Sequence, residues 1–207
     1  MIKLSILIPV WNQEELVVKC LDSVPRRDDI EVIVRDDGST DGTLAAVKQY
    51  KESHPELNLR VYANKTNRGV AYTLNRMLPQ VKGEYFNCFG SDDFMYPEYS
   101  RAIDEIGDAD VAVMDFDRND GFRCYITKDN GKIFCGNGLR FFRTEFAKGI
   151  KFPEDKKAGS DWYFYNDIMA RNPKEKFLGI LAFHYNNPRN GSLSFRKIRG
   201  EFSQDET

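Results

Sequence analysis

Histidine is nearly missing from this chain: His54 and His184 are the only two in 207 residues. Cysteine is scarce as well, with Cys20, Cys88, Cys124 and Cys135, none in a CxxC pair and none beside a histidine cluster. That excludes the usual zinc sites, which gather four close nitrogen or sulfur ligands. Cys20 and Cys88 read as small core residues in apolar periodic contexts. Cys124 and Cys135 could face each other across a hairpin, although nothing else points to an oxidising compartment. No stretch approaches ~18 consecutive apolar residues, and "MIKLSILIPV" is too short and wrongly flanked for a signal peptide or a membrane span. The expectation is a soluble, cytoplasmic protein, and a lipid-linked substrate would put it at the periphery of a membrane. The formal net charge of −2 demands neither nucleic acid nor an anionic surface as partner. Both glycine-rich phosphate loops, GxGxxG and GxxxxGK[ST], are absent.

What is present is alternation. "KLSILIP" is a continuous apolar run, as a strand covered on both faces requires. "NQEELVVKCLDSV" follows, with Leu16, Val17, Cys20, Leu21 and Val24 on one helical face and Asn12 as N-cap. The strands "IEVIVRDD", "NLRVYAN" and "GEYFNCF" then alternate with the helices "LAAVKQYKESH" and "GVAYTLNRMLPQ". About ninety residues of strand and helix in turn predict βαβ units and a mostly parallel central sheet flanked by helices. After Pro97 the rhythm changes to a helix, the strand "ADVAVMDFD", a small hairpin over "GFRCYITKDNGKIFCGN" turning at Asp129–Gly131, an aromatic helix "DWYFYNDIMARN" and a late strand "KFLGILAFHYN". We read one α/β domain over residues 1–195, with 1–96 the nucleotide-type half and 97–195 completing a pocket, and a polar tail over 196–207.

In such a sheet, ligands sit beyond the carboxyl ends of the strands. The residues there are Trp11 and Asn12, then Asp36 to Ser39, then Asn64 to Gly69, then Ser91, Asp92 and Asp93. Two adjacent acids after a buried strand repel each other and resist desolvation unless a cation offsets them. One reading is a Mg²⁺ or Mn²⁺ shared with a diphosphate. The other is a pair of loop or capping carboxylates before the next helix. Asp-Gly-Ser after a strand is by itself an ordinary turn.

"SILIPVWNQEELVVKCLDSV", "EVIVRDDGSTDGT", "NRGVAYTLN" and "GEYFNCFGSDDFMYPE" resemble the family 2 glycosyltransferases of GT-A fold, inverting enzymes that use nucleotide-diphosphate sugars. The resemblance is strong over residues 3–100 and thinner over 140–195. It implies that Pro9 and Trp11 hold the base of the donor, and that Asp37 accepts from a pyrimidine ring N–H. It implies that Asn67 and Gly69 form the family's N-x-G, with Arg68 near the diphosphate. "SDD" matches the DXD-type motif, which makes Asp93 the ligand of Mn²⁺ or Mg²⁺ and gives Asp92 a contact to ribose or to a metal-bound water; Ser91 replaces a third acid. Asp161 matches the general base that takes the acceptor's proton, with Ser160 in place of the family's Glu; Asp167 is the rival, and either Ser160 or Asp161 could simply cap its helix. His184 falls earlier than the metal-binding histidine that many relatives carry before Ser-x-Ser (here Ser192 and Ser194) and also reads as a satisfied core histidine. Arg189 could neutralise the leaving group. Phe141, Phe142, Trp162, Tyr163 and Tyr165 could line the acceptor side or fill the core.

The implied activity is metal-dependent transfer of one sugar, UDP-linked by the family's habit, to a hydroxyl of a glycan, a lipid-linked sugar or another compound, a nucleic acid among them. The processive members' Gln-x-x-Arg-Trp block is absent. The alternatives are a non-catalytic nucleotide-sugar binding module and a sugar nucleotidyltransferase, although the latter's Gly-rich basic N-terminal loop is missing.

Overall fold

The structure is a computed structural model that describes residues 1–131, 136–156 and 159–187. The chain runs β1 (Leu4–Val10), α1 (Glu14–Ser23), β2 (Ile30–Asp36), α2 (Thr43–Ser53), β3 (Leu59–Ala63), α3 (Val70–Met77), β4 (Tyr85–Cys88), β5 (Phe94–Met95), α4 (Glu98–Asp104), β6 (Val111–Arg118), β7 (Arg123–Cys124), β8 (Arg140–Arg143), α5 (Thr144–Ala147), α6 (Ser160–Met169) and β9 (Glu175–Tyr185). One sheet orders them β3-β2-β1-β4-β8-β6-β9-β5, with β7 paired to β6.

The first half is parallel throughout: β1 pairs with β2 and β4, and β2 with β3. β1, β2 and β4 are buried on both faces, which is why they read as apolar runs, whereas β3, at the edge, is only partly buried. The second half mixes directions. β8 runs antiparallel to both β4 and β6, β9 parallel to β6, and the short β5 antiparallel to β9. The hairpin of this half joins β6 to β7 through the turn at Asn119–Gly121, with Phe116 opposite Cys124. Residues 132–135, including Cys135 and the second arm of the expected hairpin, lie outside the described residues, as do Arg189, Ser192, Ser194 and the tail. Cys20, Cys88 and Cys124 are buried free thiols.

Two caps differ from expectation. Asn12 is not the N-cap of α1: it takes a left-handed φ of 50°, its amide bonds the neighbouring loop, and Gln13 occupies the cap. Gly159, at φ 77°, precedes α6 in the cap position, so neither Ser160 nor Asp161 caps that helix. The left-handed backbone favours glycine there.

Aromatic packing fixes the late helix. Phe164 of α6 stacks on Phe152 at 4.1 Å and meets Phe142 edge-on at 5.5 Å, and Phe86 of β4 lies 5.4 Å from Phe142. Phe141 and Phe142 are fully buried, and Tyr165 is buried beneath the Arg140 guanidinium. These three belong to the core rather than to an acceptor surface. Among the aromatics expected there, Trp162 is half exposed and Tyr163 partly so.

Candidate functional site

The loops after β1, β2 and β3 are tied into one ledge. The Asn12 amide N–H donates to Ser39 Oγ at 2.9 Å, and Thr40 N–H donates to Asn12 Oδ1 at 2.9 Å. Gln13 N–H donates to Thr43 Oγ1 at 2.8 Å. This fixes the β1–α1 loop, which leaves the strand after Pro9 and Val10 and where Trp11 stands 49% exposed. An exposed indole beside a polar ledge is available for stacking.

The two acids of "RDDGS" do different work. Asp36 turns inward and accepts from Ser39 N–H at 3.0 Å, closing the turn. Asp37 faces the β3–α3 loop: Oδ1 accepts from Asn64 Nδ2 at 2.8 Å and from Arg68 N–H at 3.0 Å, and Oδ2 accepts from Gly69 N–H at 2.7 Å. A carboxylate offers about four lone pairs, so one remains for a ligand N–H. Gly69 turns the chain at φ +87° and starts α3 by accepting from Thr73 N–H at 3.1 Å. Asn67 and Arg68 are exposed, and the Arg68 guanidinium lies 4.6 Å over the Tyr72 ring.

Gly38 allows this closure. Its φ is +69°, and a Cβ there would lie 2.5 Å from the Thr66 carbonyl carbon. Gly38→Ala combines left-handed strain with a backbone clash. It is expected to cost about 2–3 kcal/mol, seen as a thermal midpoint lower by roughly 4–10 °C; an unchanged midpoint would mean that the two loops are not in contact.

The acid pair follows β4. A Cβ on Gly90 would lie 2.5 Å from Asp93 Oδ2 and 3.0 Å from Asp92 Oδ1, so both carboxylates converge on the open space this glycine leaves. Asp93 is only 4% exposed and accepts from Asn186 N–H at 2.9 Å through Oδ1. Burial, with the charges of Asp93 and Asp92 added, pushes the Cys20 thiol well up beneath them. A donor set of two hard carboxylates suits Mg²⁺ or Mn²⁺, ions that take further ligands from diphosphate and water. Among the described residues no group of three or more His, Cys, Asp or Glu could hold a metal unaided.

Asp161 opens α6 one turn before the buried Phe164, on the same helix face. Asn137 Nδ2 donates to its Oδ1 at 3.0 Å. Burial raises its pKa, opposed by the bonds from Asn137 and the charge of Arg140. Asn137 also accepts through its carbonyl from Asn87 of β4 at 3.1 Å, so one asparagine links Asp161 to the strand that the acid pair follows. Asp167 is exposed on α6.

Sequence reasoning missed the supports of this carboxyl. Asn87, buried in β4, donates through Nδ2 to the carbonyls of Asn137, Gly138 and Arg140 at 3.1, 3.0 and 2.7 Å, and accepts from Tyr99 Oη at 3.0 Å. Arg140, fully buried, donates to the Gly136 and Gly131 carbonyls. The legible signal was an asparagine inside the apolar strand "EYFNCF", because a buried amide demands partners. His184 is not brought to the acid pair by its ring. Nδ1 lies 2.8 Å from Asp117 Oδ1 and Nε2 lies 2.7 Å from Asn119 Oδ1.

Residues 5–157 match the glycosyl transferase family 2. The chain belongs to that family. The poly(ribitol-phosphate) β-N-acetylglucosaminyltransferase TarS of Staphylococcus aureus is 29% identical over 92% of this chain and 36% of its own length. The poly(ribitol-phosphate) β-glucosyltransferase of Bacillus spizizenii is 37% identical over 91% of this chain and 33% of its own. The chain thus spans about a third of the length of these relatives. A solved structure of TarS 1-349 in complex with UDP-GlcNAc superposes with a TM-score of 0.78 at 27% identity, covering 92% of this chain and 60% of that one. The mannosyltransferase PcManGT of Pyrobaculum calidifontis, solved with GDP-Man and Mn²⁺, shares the fold at a TM-score of 0.75 and 22% identity, over 95% of this chain and 60% of that one. This family 2 glycosyltransferase domain has the GT-A fold, and no helix among its described residues is long and apolar enough to cross a membrane.

Proposed function

We propose that this domain transfers one sugar, with inversion, from a UDP-linked sugar to a hydroxyl of a polyol-phosphate polymer. The observation that carries the reading is the partly buried Asp161 carboxyl, held by Asn137 beside β4, the strand after which Asp92 and Asp93 follow. Polymer acceptors are supported by the names of two relatives that each align with more than nine-tenths of the chain. A UDP-sugar donor is supported by the complex of TarS.

On this reading Trp11 stacks on the base and Asp37 accepts the base N–H through its remaining lone pair, while it shapes the Asn67–Gly69 loop around the nucleotide. Pro9, next to last in β1, presents backbone to the base edge. Arg68 supplies positive charge toward the diphosphate, and Asp92 contacts the ribose or a water of the ion's shell. Asp93 holds the Mn²⁺ or Mg²⁺. When bound, the ion acts as a Lewis acid toward the diphosphate oxygens. The acceptor hydroxyl attacks the anomeric carbon, the glycosidic bond to the diphosphate breaks with its electron pair, and the hydroxyl proton passes to Asp161.

The test is a panel of nucleotide sugars assayed for donor hydrolysis and for transfer to poly(ribitol phosphate), with Mn²⁺ and then with chelator. Turnover is expected with a UDP-sugar and Mn²⁺, falling to background with chelator and returning when Mn²⁺ is restored. Turnover indifferent to chelator would remove the ion from the mechanism. Transfer only to other hydroxyl acceptors would remove the polymer.

A further inference from the structure

Beyond the acid pair, the chain runs directly into β5, which is laced to β9. Phe94 pairs with His184 and Met95 with Phe183, and the Phe94 and His184 rings stack at 6.0 Å and 17°. On the other side, Asp117 of β6 pairs with His184 in the sheet. Around that histidine lies a continuous set of hydrogen bonds. Tyr96 Oη donates to the Asp117 carboxylate at 2.9 and 3.0 Å. Asp117 Oδ1 meets His184 Nδ1, His184 Nε2 meets Asn119 Oδ1, and Asn119 Nδ2 donates to Asn186 Oδ1 at 2.8 Å. The Asn186 backbone N–H then donates to Asp93 Oδ1. Burial and the bond to Asp117 push the Tyr96 phenol up to about 12, so it remains a donor at neutral pH.

We infer that His184 is a positioning residue, which orients Asp93 through Asn119 and the Asn186 amide rather than binding the ion itself. This rests on the reading of Asp93 as the ion's ligand. The geometry supports it in two ways. Both ring nitrogens already have partners 2.8 and 2.7 Å away. The backbone donor that fixes Asp93 sits two residues beyond His184, on a segment whose side chain is held by the histidine's own partner.

The experiment measures affinity by calorimetry. UDP is titrated with and without Mn²⁺ into the parent and into the His184→Phe, Asn119→Ala, double and Asp93→Ala variants. His184→Phe keeps the stack on Phe94 and removes both hydrogen bonds. It and Asn119→Ala are each expected to weaken the Mn²⁺-dependent affinity by roughly fivefold, the loss of about one hydrogen bond's net contribution. The double variant should lose no more than either single one, because both break the same chain. Metal-free UDP affinity should stay at the parent value in all three, whereas a general loss of structure would lower it as well.

If Asp93→Ala abolishes the Mn²⁺ effect while both single variants keep it whole, the positioning role is overturned and the ion site stands. If Asp93→Ala itself leaves the Mn²⁺ effect intact, both are overturned. Should His184→Phe not fold, Asn119→Ala carries the same comparison alone.

Discussion

Asp161→Asn is expected to reduce kcat by about 10²–10⁴-fold, the usual contribution of a positioned general base, with donor affinity unchanged. The amide is isosteric and keeps an acceptor toward Asn137 Nδ2, but it cannot take a proton. A second consequence follows from the raised pKa of this carboxyl, which burial causes. The folded state holds the Asp161 proton more tightly than the unfolded chain does. Its contribution to stability is therefore full below the unfolded pKa and is lost as pH rises through the higher folded value. At neutral pH the ionised carboxyl costs stability, so Asp161→Asn should unfold at a higher temperature than the parent while being catalytically dead. The same titration sets the acid limb of the rate profile: kcat/KM should rise with pH through a value above the ordinary carboxylate range. A variant that loses stability and keeps most of its activity would move the base elsewhere, with Asp167 the next to replace.

Asp37→Ala should be the most damaging change on the donor side. It removes the acceptor for Asn64 Nδ2 and for the backbone N–H groups of Arg68 and Gly69 together. Asp37 is buried, so those donors cannot all reach water. The expected loss is about 3 kcal/mol or more, since unmet donors facing a deleted charge each cost more than an average hydrogen bond. Asp37→Asn should fare little better, because whichever way the amide turns, its N–H₂ meets a backbone or side-chain donor. Denaturant midpoints measure the stability change, and UDP titration should show affinity falling by more than about tenfold, a difference of about 1.4 kcal/mol. A stable Asp37→Ala that binds UDP normally would mean that the β3–α3 loop needs no such anchor.

The parallel half of the fold was legible because its inner strands are buried on both faces, and "LSILIPV" and "IEVIV" can hardly be anything else. The ligand end followed from the polar residues after each strand. Less legible were β5 and β8. The two residues Phe94–Met95 and the four Arg140–Arg143 are too short for any period to register, and pairing alone makes them strands. The cap at Asn12 was misjudged because helix-capping propensity is local, whereas that side chain is claimed by Thr40 from a loop 28 residues away. The resemblance points to Asp161 as the proposed base, but it says nothing of the residue's environment. Asn137 comes to it from 24 residues upstream, held by an asparagine 50 residues further back. Contacts of that span leave no trace in a window of sequence.

The bond from Asn186 to Asp93 spans 93 positions of the chain. During synthesis the nucleotide ledge, built from Trp11 to Gly69, can close early and locally. The acid corner must wait until β9 has been made and has passed between β6 and β5. If the ledge binds the nucleotide and Asp93 the ion, as proposed, a nascent chain halted before Asn186 would hold a finished seat for the one and an unfinished grip on the other. On the proposed reading, competence for sugar transfer would come with nearly the last described residue.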